Sequence, residues 1–328
     1  MRFKKTELPE LVIHERQHHH FPISTWTAWK ALRKKYAKHI YLARRSVGPR
    51  IVFCRPQGGF NDSLVQISKC FSYAINYGRR LIVDTSRSGL LDVLENYFYP
   101  SFLISGIHFS IPSGFSETSA KVSCYPHCLN GRGINYKSQH SDQTNYVETM
   151  YNERLTFDFN KKYNEEILIH EQCGGGTSSI EFFDWAAPTR AVKKEINSRL
   201  KSAPQSYIAL HIRHTDRKTR YTEFLAAAKP LIRGANVLIC TDSYEVLSYA
   251  RKFLDTSRTY SISNIPDSHG QSLHHNTELT NRSTNMGALC DLAAMSRAKA
   301  IIHPTAAFGY RSGFVDLAVS LMQRPALA

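Results

Sequence analysis

The sequence has no long apolar run, and this excludes one large class of protein. None of the apolar stretches in its 328 residues approaches the roughly 18 residues that a membrane-spanning helix needs. Residues 1–20 contain basic side chains but no apolar core and no small-residue cleavage site, so they do not resemble a signal peptide. We therefore expect a cytoplasmic protein that does not span a membrane.

Cysteines with the spacing of a disulfide framework or a zinc site are also missing. The seven cysteines are odd in number and mostly lie in apolar segments, which predicts buried, reduced thiols. Cys124 and Cys128, with His127 between them, could begin a zinc site, but no second ligand pair follows at short spacing. We predict a loop there and expect no metal site.

Acidic residues are outnumbered, and the excess of positive charge is uneven. Lys and Arg total 42 against 27 Asp and Glu, and residues 1–50 hold twelve of the former and three of the latter. Apolar side chains in this leader recur at steps of three and four residues: Trp29, Leu32, Tyr36, Ile40 and Ala43. This spacing predicts a basic amphipathic helix, which either lies on an anionic membrane surface or packs on the protein.

A nucleic-acid-binding protein is a competing class, because a net charge of +15 predicts an anionic partner. The positive charge is nevertheless concentrated in the leader, and the rest of the chain is only mildly basic. No RNA- or DNA-recognition motif is visible in the sequence. We therefore expect no nucleic-acid partner.

Alternating strands and helices predict an α/β fold with two Rossmann-like domains facing each other across a cleft. Residues 49–84 read as a strand at 49–54, a glycine turn, a helix from Leu64 to about Tyr77 and a second strand at 80–84, which implies a parallel sheet. Residues 201–328 contain three short apolar strands, at 207–211, 237–240 and 300–303, separated by helical segments. We predict a leader at residues 1–48, a first domain at residues 49–200 and a second at 201–328.

The three strands of the second domain end in polar residues. They are followed by Arg213 with Asp216, by Asp242, and by Thr305. Ligands of open α/β sheets bind beyond the carboxyl ends of the strands, so these residues should share one cleft. A guanidinium at such a strand end can hold diphosphate oxygens in a bidentate fork.

The sequence contains no Asp-x-Asp motif, which in many glycosyltransferases binds a divalent ion. If the ligand is a sugar nucleotide, Arg213, His214 and Arg217 must therefore stabilise the departing diphosphate in place of a metal. The alternative is a solvated loop, or a set of cations that pair with Asp216 and Asp242.

These segments resemble the α1,6-fucosyltransferases, which include the rhizobial nodulation enzymes, within a wider GDP-fucose-dependent superfamily. Residues 211–216 read His-Ile-Arg-His-Thr-Asp and resemble the first family motif. Residues 239–243 resemble the second motif, a strand that ends in Thr-Asp. Residues 291–305 resemble the third, which combines an Asp, a Ser-x-Ala and a Thr.

Two further segments extend the resemblance. Residues 268–275 lie where the family has a Leu-His stretch, and residues 54–63 resemble its N-terminal glycine loop. The five matches occur in the family's order and cover roughly residues 50–85 and 205–320.

The resemblance implies a GT-B-like fold, a GDP-fucose donor, inversion at the anomeric carbon and no required metal or other cofactor. Arg213 would bind the β-phosphate, Asp242 and Asp291 would hold guanosine, and Thr305 would contact phosphate. The other implied donor-binding residues are His211, His214, Arg217, Ser296 and Arg311. The implied acceptor or cleft loop contains Gly58, Gly59, Asn61 and Asp62, although Asn61 and its neighbours could instead cap a helix.

The resemblance does not assign the base directly, because the connection after the first motif is shorter than in the animal enzymes. Asp216 and Glu223 are the candidates, since an ionised carboxylate could accept the proton of the acceptor hydroxyl. We favour Asp216, because Thr222 and Glu223 also resemble the start of a helix with an acidic first turn.

The predicted function is inverting, metal-independent transfer of fucose from GDP-fucose to a glycan hydroxyl. Lipopolysaccharide, capsule precursors and chitooligosaccharides are the acceptor types considered, and the basic leader would suit a lipid-linked acceptor at the inner face of a membrane. The alternatives are a transferase that uses another GDP-sugar such as GDP-mannose, and an inactive sugar-nucleotide-binding protein.

Overall fold

The protein divides into two compact units. Residues His19–Thr189 form one, here called the N unit, and residues Met1–His18 with Arg190–Ala328 form the other, the C unit. The computed structural model describes residues 11–16, 50–101, 106–142, 144–254, 258–271, 273, 276–305, 308–309 and 312–324. The predicted amphipathic helix and Arg311 lie outside the described residues. The division into a leader and two domains at residues 48 and 200 stays a prediction.

The described elements alternate between strands and helices along most of the chain. In chain order the strands are β1 (Leu11–Glu15), β2 (Ile51–Cys54), β3 (Arg80–Val83), β4 (Phe98–Pro100), β5 (Ile107–His108), β6 (Cys124–Tyr125), β7 (Ser138–Asp142), β8 (Asn145–Glu148), β9 (Ile167–His170), β10 (Ala186–Pro188), β11 (Ile208–Ile212), β12 (Val237–Thr241), β13 (Thr259–Tyr260) and β14 (Ala300–Pro304). The α-helices are α1 (Phe60–Asn76), α2 (Phe115–Ser119), α3 (Arg190–Leu200), α4 (Tyr221–Ala228), α5 (Tyr244–Phe253), α6 (Arg282–Arg297) and α7 (Gly313–Gln323).

The N unit is built on a five-stranded parallel sheet in the order β5-β3-β2-β9-β6. Its central strands β2 and β9 are buried along their whole length, as expected for a parallel sheet covered on both faces. Helix α1 follows β2 and begins at Phe60, four residues before the predicted start at Leu64. It ends at Asn76, and Gly78 then takes a positive φ of 63°, the conformation that favours glycine after a helix.

An aromatic cluster packs against α1 in the N unit. The rings of Phe71, on α1, and Trp185 stack with centroids 3.9 Å apart and an interplanar angle of 5°. Phe182 lies edge-on to both Phe98 and Trp185. Strands β4 and β10 pair antiparallel. Phe98 lies in β4 and Trp185 directly precedes β10, so this short ribbon holds both rings in the cluster.

The C unit contains a second five-stranded sheet, in the order β1-β14-β11-β12-β13. Strands β14, β11, β12 and β13 are parallel, and their carboxyl ends lie at one edge of the sheet. The three strands that the sequence predicted are therefore confirmed, each within one or two residues of its predicted bounds. Phe224, Ile239 and Val246 lie in the core that packs α4 and α5 against this sheet.

Strand β1 belongs to a segment that the sequence analysis assigned to the leader. It pairs antiparallel with β14, from Leu11 opposite Pro304 to Glu15 opposite Ala300. The His14 and His303 rings stack at 12°, with their Nε2 atoms 3.2 Å apart. Because His303 Nδ1 lies 3.0 Å from a carbonyl oxygen, which can only accept, we infer that His303 Nε2 accepts the hydrogen bond from His14.

All seven cysteines are free thiols, and five of them are buried. Burial raises the pKa of Cys124 to about 11, and burial with a Glu153 hydrogen bond raises that of Cys128 to about 12. The predicted loop at these residues is β6 followed by a 3-10 turn at His127–Leu129. Among the residues that the structure describes, no helix is long and apolar enough to cross a membrane.

Two substitutions in β1 test whether this strand is part of the C-unit fold. Leu11 packs against the core, whereas Ile13, on the same strand, is 40% exposed. We expect Leu11→Asp to lower the free energy of unfolding by about 1 to 3 kcal/mol, because it places a charge against apolar side chains. Ile13→Asp should cost far less. Chemical denaturation of both variants measures the difference, and equal small effects would show that β1 adds little to the fold.

Candidate active site

The carboxyl ends of β11 and β12 bring two of the predicted motifs together. The strands are parallel neighbours, with Ile212 opposite Thr241, so Arg213 and Asp242 follow adjacent strand ends. The backbone N–H of His214 donates to Asp242 Oδ1 at 2.7 Å, and the hydroxyl of Thr215 donates to Asp242 Oδ2 at 2.6 Å. The convergence of these two tips, expected from the sequence, is therefore present in the structure.

Asp242 has a structural role in the C unit. Each of its carboxylate oxygens accepts a hydrogen bond from the loop that follows β11. Hydrogen bonds to an ionised acceptor are among the strongest that a protein makes, so this pair fixes the loop firmly. The role expected from the resemblance, holding guanosine, stays a prediction for Asp242.

The loop after β11 is also closed at its far end. The hydroxyl of Thr219 donates to the carbonyl of Arg213, and the N–H of Arg220 donates to the carbonyl of Phe308 at 2.7 Å. A Cβ at Gly309 would lie 2.8 Å from Thr219 Oγ1 and 3.2 Å from its Cα, so glycine permits this close approach. The backbone that carries Arg213 is therefore held from several directions.

Arg213 and Asp216 form a two-point fork on this loop. Arg213 Nε donates to Asp216 Oδ1 at 2.8 Å, and Nη2 donates to Oδ2 at 2.6 Å. Both side chains are 27% exposed, so the pair is open to solvent and to a ligand. The ion pair between Arg213 and Asp216, which the sequence left open as an alternative to ligand binding, is thus present in the structure.

The two histidines of the motif, His211 and His214, lie in different environments. His211 is buried, and burial together with His303 and Arg213 lowers its pKa to about 3. Its ring is therefore neutral near pH 7 and packs against Phe314 of α7 at a centroid distance of 5.8 Å. His214 places its Nδ1 3.0 Å from the carbonyl oxygen of Thr219. The fixed positive charge of the motif comes from arginine and not from His211.

Helix α6 carries two of the predicted donor-binding residues, Asp291 and Ser296. Asp291 is buried and accepts a hydrogen bond from the hydroxyl of Ser263 at 2.7 Å. Burial raises the pKa of Asp291 to about 7, against the lowering effects of Ser263 and Arg199. The hydroxyl of Ser296 donates to the carbonyl of Ala293 at 2.8 Å, a bond within the helix.

The other predicted residues of the C unit occupy turns and a helix start. Glu223 lies in the first turn of α4, where its Oε2 accepts from Arg220 Nη1 at 2.7 Å. Both partners are more than half exposed. The carbonyl of Thr305 accepts from two N–H groups, those of residues 308 and 309, and so begins a turn. Arg217 is exposed on the loop after β11.

The predicted glycine loop of the N unit lies at the carboxyl end of β2. Gly58 has a φ of 84°, and its carbonyl accepts from the N–H of Gly89 at 3.0 Å. Gly59 is the N-cap residue of α1, so Asn61 and Asp62 already belong to the first helical turn. Asn61 therefore does not cap the helix. Its Oδ1 accepts from the hydroxyl of Ser179 at 2.6 Å.

Sequence reasoning missed a second glycine loop beside the first. A Cβ at Gly175 would lie 2.7 Å from Asp62 Oδ1, and Asn61 Nδ2 donates to the carbonyl of Gly176 at 3.4 Å. Gln66, on α1, also donates to the carbonyl of Cys173 at 3.2 Å. Three consecutive glycines at positions 174–176 were the available signal.

A buried ionic cluster at the same edge of the N-unit sheet was also missed. Arg55, Asp84 and Glu171 follow β2, β3 and β9 and are at most 4% exposed. Arg55 Nε donates to Asp84 Oδ2 at 2.8 Å, its Nη1 lies 3.7 Å from Glu171 Oε2, and its guanidinium covers the ring of Tyr136. Burial raises the pKa of Asp84, but Arg55 and Ser86 outweigh this and hold it below the usual value. The signal was a charged residue soon after each of three apolar strands.

Comparisons with known proteins identify the fold. No protein-family model matches the chain, and no curated protein sequence matches it significantly. A crystal structure of the fucosyltransferase NodZ from Bradyrhizobium matches with a TM-score of 0.52 at 18% identity, over 76% of this chain and 86% of that one. The chain has the fold of NodZ. This confirms the predicted α/β, GT-B-like fold class.

Two NodZ structures with nucleotides match similarly. NodZ α-1,6-fucosyltransferase soaked with GDP-fucose gives a TM-score of 0.52 at 18% identity, over 82% of this chain and 91% of that one. NodZ co-crystallised with GDP gives 0.50 at 18% identity, over 76% and 86%. Within the described part of this chain, no group of three or more His, Cys, Asp or Glu side chains could hold a metal ion.

The raised pKa of Asp291 predicts a pH dependence of stability. Between the unfolded pKa of about 3.9 and the folded value of about 7, the native state binds more protons than the unfolded one. The contribution of Asp291 to stability is therefore present below pH 4 and is lost as pH rises to 7. Asp291→Asn cannot ionise, so we expect it to raise the melting temperature by several degrees at pH 8 and to flatten the slope between pH 4 and 7.

Thermal unfolding of the ligand-free protein across this pH range measures the effect. Glu278→Gln is a suitable control, because Glu278 is an exposed carboxylate of the same unit. It should keep the wild-type slope. An Asp291→Asn variant with the wild-type slope would contradict the buried, proton-binding carboxyl described above.

Proposed function

We propose that this protein is a glycosyltransferase that transfers fucose from GDP-fucose to a hydroxyl of a glycan. The observation that carries the proposal is Arg213, a partly exposed guanidinium at the carboxyl edge of the C-unit sheet, on a loop held by Asp242. The fold supports it, because NodZ shares this fold and is a fucosyltransferase whose structures were obtained with GDP-fucose and with GDP.

Arg213 would act on the departing diphosphate. In the proposed reaction the bond between the fucose anomeric carbon and the β-phosphate oxygen breaks, and GDP leaves with the electron pair. A guanidinium held in place beside the β-phosphate stabilises this growing negative charge and costs no reorganisation during the reaction. His211 is neutral near pH 7, so it can add a hydrogen bond but no charge.

The acceptor hydroxyl would attack the anomeric carbon on the face opposite the diphosphate, which inverts the configuration there. Its proton passes to a carboxylate, with Asp216 and Glu223 as the candidates. Donor departure in this scheme relies on arginine and on N–H groups, and no metal takes part. Inversion and metal independence are both elements of the proposal.

The remaining donor contacts divide between recognition and positioning. We assign guanosine recognition to Asp291, since a carboxylate can accept from the guanine N1–H and its exocyclic amine. Asp242 would hold the loop that carries Arg213. Contacts with the nucleotide or its phosphates are proposed for His214, Arg217, Ser296, Thr305 and Arg311.

The acceptor would be a glycan or a lipid-linked glycan, of the lipopolysaccharide, capsule or chitooligosaccharide type. We propose that Gly58, Gly59, Asn61 and Asp62 form the acceptor loop. The surplus of basic residues in the leader, residues 1–48, supports contact with an anionic membrane surface and action in the cytoplasm at its inner face.

A second candidate function is sugar-nucleotide binding without transfer. One observation favours it: each candidate base is paired with an arginine, Asp216 with Arg213 and Glu223 with Arg220. Each pairing occupies a carboxylate oxygen that a base would offer to the acceptor hydroxyl. Tight binding of GDP with no turnover on any glycan pool would support this candidate over the first.

Arg213→Ala tests the proposed function most simply. Loss of this cation should cost about 2 to 4 kcal/mol of transition-state stabilisation, a fall of roughly 30- to 1,000-fold in kcat/KM for GDP-fucose hydrolysis or transfer. Arg251→Ala is a matched control, because Arg251 is an exposed arginine on α5 of the same unit. Unchanged turnover in Arg213→Ala would contradict the mechanism. A wild type that prefers GDP-mannose would show that the donor is not GDP-fucose.

A further inference from the structure

Asp216 is placed to orient Arg213. It accepts from two different nitrogens of the guanidinium, Nε at 2.8 Å and Nη2 at 2.6 Å. A two-point contact of this kind fixes the plane of the guanidinium as well as its position, whereas a single hydrogen bond leaves the plane free to turn. A phosphate that is bound bidentately requires such a fixed plane.

The backbone beneath this pair is rigid enough to make the fork useful. Asp242 holds the N–H of His214 and the hydroxyl of Thr215, and Thr219 holds the carbonyl of Arg213. Thr215 is buried, with an exposed fraction of 3%. The three bonds leave little freedom to the backbone between Arg213 and Asp216, whereas the arginine side chain has rotational freedom of its own. Asp216 removes much of that freedom.

The same fork makes Asp216 a poor proton acceptor. A carboxylate that takes a proton loses its charge, and with it the charge-assisted bonds to Arg213. Proton transfer to Asp216 would therefore release the guanidinium at the moment when the leaving diphosphate needs it. Glu223 differs, because it makes a single 2.7 Å contact with Arg220 and both side chains are more than half exposed.

We propose that Asp216 is a positioning residue that presents Arg213 to the donor diphosphate, and that it is not the base. The proposal rests on the proposed function and reverses the preference drawn from the sequence. It leaves Glu223 as the candidate base.

The sign of one measurement separates this proposal from simple electrostatics. Neutralising a carboxylate beside an anion should by itself strengthen anion binding, because a repulsive charge is removed. If Asp216 positions Arg213, Asp216→Asn should instead weaken GDP binding, by roughly tenfold for the loss of one well-oriented charged contact. Calorimetric titration of GDP into the full-length protein gives this Kd directly.

A double-mutant cycle makes the test specific. If Asp216 acts through Arg213, Asp216→Asn should raise the Kd for GDP in the wild type but not in an Arg213→Ala background, where the loss of a negative charge can only leave the Kd unchanged or lower it. With GDP-fucose, Asp216→Asn should raise KM while the pH dependence of kcat keeps its wild-type shape. Asp158→Asn is a matched control, since Asp158 also forms an i,i+3 ion pair, with Lys161, and lies in the N unit, outside the proposed donor site. It should leave the Kd for GDP and the KM for GDP-fucose unchanged.

Three results would overturn the inference. Unchanged or tighter GDP binding in Asp216→Asn would mean that the fork does not help Arg213. A large fall in kcat, with the basic group lost from the pH profile and an unchanged Kd for GDP, would identify Asp216 as the base. An equal loss of GDP affinity in both backgrounds would show an effect that bypasses Arg213.

Folding and the proposed function have their own readouts in the same experiment. Melting temperatures report whether Asp216→Asn folds. If it does not, Arg213→Lys keeps Asp216 but removes the guanidinium fork, and it should weaken GDP binding to a similar extent. A wild-type protein that binds no GDP would refute the proposed function itself. If the wild type binds GDP and Asp216→Asn binds it equally well, only the role of Asp216 is refuted.

Discussion

The organisation of the C-unit site depends on the carboxylate of Asp242. This residue follows β12, yet both of its oxygens hold the loop that follows β11. Parallel neighbouring strands make such a contact available, because their ends lie side by side at one edge of the sheet. Without these two hydrogen bonds, the loop that carries Arg213 would lose its attachment to the neighbouring strand end and would keep the Arg220–Phe308 bond at its far end. The sheet therefore defines where the guanidinium lies, and Asp216 then defines how it is turned.

The fold was predictable where local pattern and final contacts agree. Strands β2, β3, β11, β12 and β14 are short apolar runs that end in polar residues, and their burial in parallel sheets follows from that pattern. Strand β1 was missed because its five residues acquire a strand partner only through β14, some 290 positions away. The start of α1 was misplaced because its first turn contains Asn, Asp and Ser, residues with low helix propensity that this helix accepts beside a glycine loop.

The site was predictable as a set of positions but not as a set of contacts. Sequence placed Arg213, Asp216 and Asp242 at strand ends, and the structure agrees. The sequence could not show that both oxygens of Asp242 accept hydrogen bonds from the adjacent loop, or that Asp216 contacts Arg213 through two atoms. Those contacts depend on side-chain geometry in the folded state. The contact of Arg55 with Glu171 in the buried ionic cluster was missed for a similar reason, since these two residues are more than a hundred positions apart and meet only across neighbouring strands.

The central claim is that the diphosphate of a GDP-sugar lies against Arg213 at the carboxyl edge of the C-unit sheet. A crystal structure of the protein with GDP tests this claim most directly. The account predicts β-phosphate oxygens within hydrogen-bonding distance of the Arg213 guanidinium, with the Asp242 contacts to the loop intact. A diphosphate bound elsewhere on the chain, with Arg213 remote from any phosphate oxygen, would contradict it.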